Sequence, residues 1–290
     1  MKIILSRKGF DSGSGGVPSP IFPDGLMMSL PIPDRLSGIA YKDVAGNRWL
    51  SMGEAVSQLG KFPETHRAHL DPDLVAKSLP RKKGWRPIFG QVDAAEGHLR
   101  RQGVGSGDIF LFFGLFREIE KSSSGWQYVR GSKPVHSLFG WLQIADRVPV
   151  SAWPTSDRWA LYHPHFARQP SPSNVIYTST ERLTLPSGKP TGFAGAGTFS
   201  QFSPTLCLTA PGSDRPGRWL LPKWFHPDGR GSVLTYHSNR VRWEVSDRGA
   251  VLSSASRGQE FVLDCDHYPE AVDWLKELLS CAFTAYTERT

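Results

Sequence analysis

Apolar and polar positions change over short distances along this chain, and most of the elements they predict are strands. Residues 2–6 (KIILS) read as a short buried strand, β-branched at Ile3 and Ile4. Residues 6–16, SRKGFDSGSGG, follow as a glycine-rich turn. Prolines at 18, 20, 23, 31 and 33 then restrict the backbone to extended or turn conformations, with residues 27–30 as an edge strand between them. Helical spacing is rarer. Residues 51–59 form one short candidate. Asp71-Pro72-Asp73 predicts the start of another, with Asp71 as N-cap and Pro72 at the first helical position. Residues 91–102 are better defined: Val92, Ala95 and Leu99 fall on one face, Arg100 and Arg101 suit the helix dipole, and Gly103 stands at the C-cap position.

Residues 109–116 (IFLFFGLF) are apolar on both faces of a strand, which places them centrally in a sheet. Residues 138–144 (LFGWLQI) are the next strand. The second half offers short runs at 159–162, 175–178, 205–208, 219–224, 233–236, 241–245 and 260–263, each bounded by Gly, Pro, Ser or Asp. A closing helix over 269–283 carries Val272, Leu275, Leu279, Ala282 and Phe283 as one stripe. The expected class is α+β, strand-rich with a few helices, around a curled antiparallel sheet or a small barrel. The whole of 1–290 is expected to form one elaborated domain.

Composition changes this picture in three ways. Glycine (29) and proline (23) make 52 of 290 residues, high enough for many turns but short of a disordered chain, and ten Trp with sixteen Phe supply a core. The net charge of +7 is unevenly placed: residues 81–101 hold six basic and two acidic side chains, and residues 215–248 hold seven and three, so each segment is +4. Two basic patches on a neutral body suit a phosphate-bearing partner. The opening MKIILSRKGF is too short in its apolar part for a signal peptide, and no apolar run approaches the ~20 residues of a membrane helix. A cytoplasmic protein without membrane partners is expected. Cys207, Cys265 and Cys281 are widely spaced and read as reduced thiols, which argues against a cysteine-built zinc or iron–sulfur site.

Familiar catalytic signatures are missing: there is no P-loop, no H-E-x-x-H, no G-x-S-x-G and no zinc-deaminase pair of motifs. His163-Pro164-His165 has metal-ligand character, but no carboxylate pair at helical spacing completes it, so no metal is expected. The N-terminal loop is a stronger candidate. Its glycines let backbone N–H groups converge on an anion beside Arg7 and Lys8, and Asp11 would supply a general base or an acceptor for a base or sugar. Asp11, Ser12 and His98 are the catalytic candidates. Arg7, Lys8, Arg81, Lys82, Lys83, Arg86 and Lys223 are the phosphate-contact candidates. Phe113, Trp141 and Trp224 are the candidates for stacking on a base, with core packing as the competing role for each.

The block from the helix at 91–102 through GVGSGD, IFLFFGLFR and HSLFGWLQIADRV, within residues 88–150, resembles the PUA-like superfamily, which includes the ASCH and EVE domains. That resemblance implies a small barrel with a pocket for RNA or a flipped modified base. Over nearly the full length, SRKGFDSGSGG with PSPIFPDG, GHLRRQGVGSGDIFLFFGLFR, GAGTFSQFSPTLCLT and WLLPKWFHP resemble the third of the nucleotide modification associated domain families of bacteria and phages. This second resemblance implies a place in DNA base modification, with nucleic acid or a nucleotide, and other DNA-modification enzymes, as partners. It supplies no established reaction and names no cofactor. Two functions follow as expectations: a base- or nucleotide-modifying protein with a PUA-like pocket, or a non-catalytic reader of modified or unpaired nucleic acid. A deep pocket holding Asp11 and a cation would favour the first; a shallow aromatic groove without titratable groups would favour the second.

Overall fold

The computed structural model describes residues 1–287 apart from 170, 189 and 257. Its largest sheet has nine strands. Strand β1 (Lys2–Arg7) runs parallel to β4 (Ile109–Ser122) and antiparallel to β14 (Glu260–Asp264). β4 pairs antiparallel with β6 (Val135–Pro149), β6 with β7 (Val175–Ser179), and β7 with β3 (Ile88–Gln91). β2 (Ser19–Ile21) and β5 (Gly125–Tyr128) add to β4, and β10 (Ala196–Thr198) adds to β6. A two-stranded ribbon of β8 (Arg182–Thr184) and β9 (Pro190–Ala194) and a three-stranded sheet of β11 (Arg218–Leu221), β13 (Gly249–Ser253) and β12 (Trp243–Ser246) complete the β structure.

The α+β class is as expected, but the barrel is not formed: the main path begins at β14 and ends at β3 without closing. β4 and β6 are long enough to curl, and their register slips between Phe112 and Phe113, where a bulge bends the pair. The central position of 109–116 follows from its burial on both faces.

Among the described residues, three α-helices flank the strands: α1 (Met52–Leu59), α2 (Asp93–Arg101) and α3 (Glu270–Thr287). A capping box starts α1, with the Glu54 N–H donating to Ser51 Oγ at 3.1 Å and the Ser51 N–H to Glu54 Oε2 at 2.8 Å. The Phe283 side chain of the predicted α3 stripe lies outside the described residues. Among the described residues, no helix is long and apolar enough to cross a membrane.

Several short runs depart from expectation for one reason. Residues 159–162 and 205–208 lie at 3₁₀ turns, and 233–236 form no strand. Trp159, Leu206 and Leu234 are nevertheless buried: they plug the core from turns, where an apolar run needs no strand partner. Asp71-Pro72-Asp73 opens no helix either. Asp73 exchanges backbone hydrogen bonds with Ile88 at the start of β3 (2.9 and 3.1 Å), which holds this segment extended along the sheet edge.

Among the described residues, a small apolar cluster of Ile88, Trp159, Ala160 and Ile176 sits at β3 and β7, and two others form the main core. The larger fills the space around β1, β4, β6 and α3. The smaller gathers Phe10, Phe22, Tyr41, Val56 and Trp126 beneath the irregular N-terminal third. Where that third meets β1 and β3, the packing becomes polar.

Candidate functional site

Asp71 is the centre of this polar region. Its side chain is only 4% exposed, and three imidazoles surround it. His69 Nε2 and His165 Nε2 each lie 3.5 Å from Asp71 Oδ2. His163 Nε2 lies 3.3 Å from Oδ1 but is misaligned for a hydrogen bond. The Gly90 N–H donates to Oδ1 at 2.8 Å and ties the carboxylate to β3. Gly90 is also required sterically, because a Cβ there would lie 2.4 Å from the His165 ring.

Local chain geometry explains the convergence. His69 and Asp71, two residues apart in extended chain, lie side by side along the sheet edge. His163 and His165 bracket Pro164 at the start of a 3₁₀ turn, Pro164–Ala167. The outer nitrogens are pinned. His69 Nδ1 is 2.7 Å from Asp34 Oδ2, and His165 Nδ1 is 2.6 Å from Asn174 Oδ1. Asn174 Nδ2 donates to the His165 carbonyl at 2.8 Å, which fixes the amide with its oxygen toward the ring.

The electrostatics follow from burial and these contacts. Burial pushes the Asp71 carboxyl up, but its contacts with His163, His165 and His69 outweigh that and hold it well below the ordinary range. Burial pushes the His69 imidazole down, and Asp34 and Asp71 reverse this to a net rise. His163 is lowered, because burial prevails over its attraction to Asp71. Asp34 is held at about 2, chiefly by its hydrogen bond with His69.

A cavity of about 220 Å³ opens over this cluster. His69, Asp71, His165 and Gly90 form one side, and Arg7, Lys8, Asp11 and Ser14 of the N-terminal loop form another, with Arg168 at the margin. Arg7 donates to the carbonyls of Ala255 (3.0 Å) and Ser256 (3.4 Å), while its Nε is buried without a partner. Lys8 pairs at 2.8 Å with buried Glu260, whose Oε1 also accepts from Ser6 and Gln91. A second cavity of about 220 Å³, lined by Met27, Met28, Met52, Phe139 and Phe199, shares Gly9 and Asp71 with the first and is mainly apolar.

The sequence-derived candidates fall into separate groups. Arg7, Lys8 and Asp11 line the polar cavity. Asp11 Oδ1 accepts from the N–H groups of Gly13 (2.8 Å) and Ser14 (2.7 Å), so one carboxylate oxygen is committed to shaping the loop. Ser12 points into solvent, and Ser14 takes the place in the wall. His98, on α2, is outside this cavity; it contacts Thr235 Oγ1 at 3.1 Å and packs at a tilt against Tyr236. Arg81 is engaged by Asp73 through two hydrogen bonds of 2.7 Å and lies over Trp85. Arg86 is 3.3 Å from Asp146, and Lys82, Lys83 and Lys223 are exposed. Phe113 is enclosed by Trp219, Phe261 and His136, and Trp141 is buried against Phe199. Neither presents a free face to a base. Trp224 is half-buried and stacks on Phe225. In the second basic segment, Arg218, Arg230 and Arg240 pair with Glu244, Glu270 and Asp228, so these three guanidinium groups are already engaged by carboxylates.

Sequence reasoning missed Asp34, His69, Asp71 and Asn174, and it set aside the H-x-H pair for want of a carboxylate at helical spacing. The missing carboxylate stands instead in a second extended pair, His69-Leu70-Asp71. Two pairs at i, i+2 were the available signal, since that spacing places both side chains on one side of extended backbone. His69, Asp71 and His165 offer one ligand atom each, all within 4.8 Å of one another, so these three could hold a metal ion.

Comparison with known proteins agrees with the sequence blocks. A family model described as nucleotide modification associated domain 3 matches residues 2–264. No curated protein and no solved structure matches.

Proposed function

The chain belongs to the nucleotide modification associated domain 3 family, and from that premise we propose that it is an enzyme acting on a nucleotide held over the His69–Asp71–His165 cluster. The supporting observation is a concentration of unsatisfied polar atoms. Buried side-chain atoms normally find hydrogen-bond partners. Four of the six described exceptions, Arg7 Nε, Arg168 Nε, His163 Nε2 and Glu260 Oε2, belong to this cavity and the residues around it. Arg7 and Arg168 are donors at its wall, and a phosphate oxygen is the acceptor that a guanidinium meets best.

In this reading the glycine-rich loop and the two arginines bind the phosphate. The adjoining apolar cavity, which shares Gly9 and Asp71 with the polar one, suits the base or sugar, since its methionine and phenylalanine lining demands no fixed hydrogen-bond pattern. The buried imidazoles and carboxylates do the chemistry, because proton transfer needs titratable groups of shifted affinity within reach of the reacting atoms. A deep site of this kind favours the enzyme over the non-catalytic reader.

Calorimetric titration with nucleoside 5′-monophosphates and the matching nucleosides tests the binding half. Monophosphates should bind at least tenfold more tightly, and Arg168→Ala should erase the difference. Equal affinity for both ligand classes would remove the phosphate assignment. Mass spectrometry of nucleosides from cells expressing the protein tests the catalytic half. Binding without a new nucleoside would move the reading to the reader.

A further inference from the structure

We propose that His69, Asp71 and His165 form a binding site for one divalent first-row transition-metal ion. His69 Nδ1 faces the Asp34 carboxylate at 2.7 Å, and His165 Nδ1 faces the Asn174 carbonyl oxygen at 2.6 Å. Both partners are acceptors, so both rings carry a proton on Nδ1. In the neutral ring the other nitrogen, Nε2, is then a bare lone pair. Both lone pairs converge on Asp71 Oδ2, itself an acceptor, at 3.5 Å. Three acceptors aimed at one point repel one another unless a cation stands between them.

The spacing and surroundings suit a metal. Two ligands about 2.1 Å from a tetrahedral ion lie about 3.4 Å apart, close to the separations found here. Histidines that bind metal usually present the other ring N–H to a carboxylate or carbonyl, and both of these rings do so. Two imidazoles and one carboxylate are the donor set that suits iron(II), zinc, cobalt(II) and their neighbours, and three protein ligands leave coordination positions open to the cavity.

A separate observation is His163. Its Nε2 is buried, has no hydrogen-bond partner, and lies 3.3 Å from the second carboxylate oxygen, Oδ1. The His165 backbone N–H donates to His163 Nδ1 at 3.4 Å, so the proton of this ring is on Nε2, near Asp71 but out of line for a hydrogen bond to it. The Gly90 N–H holds Oδ1, with this ring beside it, and Oδ2 is left for the ion.

Charge bookkeeping points the same way. Asp11, Asp34, Asp71 and Glu260 give four negative charges against three positive ones from Arg7, Lys8 and Arg168, a formal −1 with neutral imidazoles. A divalent ion makes the site +1, the sign that a phosphorylated ligand requires. The site stands on its own geometry and does not require the nucleotide reading.

Metal binding to the full chain tests this, after chelation and exchange into metal-free buffer, with cobalt(II) and zinc as probes. One equivalent should bind saturably, and cobalt(II) should give a visible d–d band that saturates at one equivalent without thiolate charge-transfer absorption. His165→Ala should weaken binding at least 100-fold, and Asn174→Ala, which only frees the ring, by about 10- to 100-fold. His226→Ala, remote from the cluster, should leave affinity unchanged. The wild-type titration decides the matter even if His165→Ala fails to fold. Absence of saturable one-equivalent binding, or undiminished binding in a folded His165→Ala protein, overturns the proposal and leaves protons as the cations between these groups.

Discussion

The central sheet and the polar cluster at its edge are built on opposite principles. In β4 and β6, long continuous segments bring Phe110, Phe112, Phe113, Leu138 and Leu142 to full burial, most of them packed in the larger apolar cluster. The cluster draws Asp34, His69, Asp71, His163, His165 and Asn174 from several short, irregular segments. The sheet gains by removing water from apolar surface, which is insensitive to exact chemistry. The cluster keeps charged and polar groups buried, which costs free energy wherever a partner is missing, as at His163 Nε2. One region supplies stability, and the other uses part of it to hold reactive groups in place.

The largest expected effects come from removing the centre of each region. Phe110→Ala should cost about 3–5 kcal/mol in denaturant unfolding, yet leave nucleotide affinity of the folded fraction unchanged, since its ring packs on Phe89, Phe112 and Tyr177. Asp71→Asn should do the reverse, abolishing product formation while the circular dichroism of the folded protein persists. Loss of nucleotide binding in Phe110→Ala at full folding would break the division between the regions.

Next comes Gly90→Ala, which adds one methyl group. The new Cβ meets the His165 ring, so the imidazole must move, and activity should fall by about 100-fold, the order expected for a misplacement of about 1 Å. Unchanged activity would show that the position of His165 is immaterial.

A smaller effect concerns acid. His136 accepts a hydrogen bond from Trp219 Nε1 at 3.0 Å, and His237 Nε2 accepts from the Ala255 N–H at 2.9 Å, so both rings are needed neutral. Burial lowers His136 to about 3 and His237 to about 4, with Arg7 adding to the former and Arg242 and Arg7 to the latter. Unfolded histidine takes up a proton near pH 6.5, while the folded rings resist it to much lower pH. The unfolded state then binds more protons, so stability is full above about pH 6.5 and falls as pH drops toward 4. Thermal melts at pH 7.5 and pH 5 should show a lower midpoint at pH 5. His136→Gln should reduce that difference; an unchanged slope would exclude this ring as a source.

The smallest effect sharpens the role of the exposed lysines. Lys82→Glu with Lys83→Glu should leave affinity for a free nucleotide within twofold, since neither side chain lines the polar cavity. For a DNA strand the same pair should weaken binding and flatten its salt dependence, because fewer counterions are released.

This contrast also explains what could be read in advance. β1, β4, β6 and the helices at 52–59, 93–101 and 270–287 follow from periodicity and caps, because their burial is repeated along the chain. Arg7, Lys8 and Asp11 were visible as a local composition of charge and glycine. The rest of the cluster was not, since contacts such as His69 with Asp34 and His165 with Asn174 depend on how loops fold over β3. Asp71-Pro72 carries the local chemistry of a helix start, and its bonding to Ile88 and Gly90 overrides that tendency. Phe113 and Trp141 show the converse: aromatic composition suggests stacking on a base, but the sheet consumes both faces.

The account rests on chemistry at Asp71, and nucleoside analysis tests that most directly. DNA and free nucleotides from cells expressing the wild-type chain or Asp71→Asn, with their other modification proteins present, would be digested and compared by mass spectrometry. The account predicts a new or altered nucleoside with the wild type and none with Asp71→Asn at equal protein level. The same new nucleoside from both, or from neither, would contradict it.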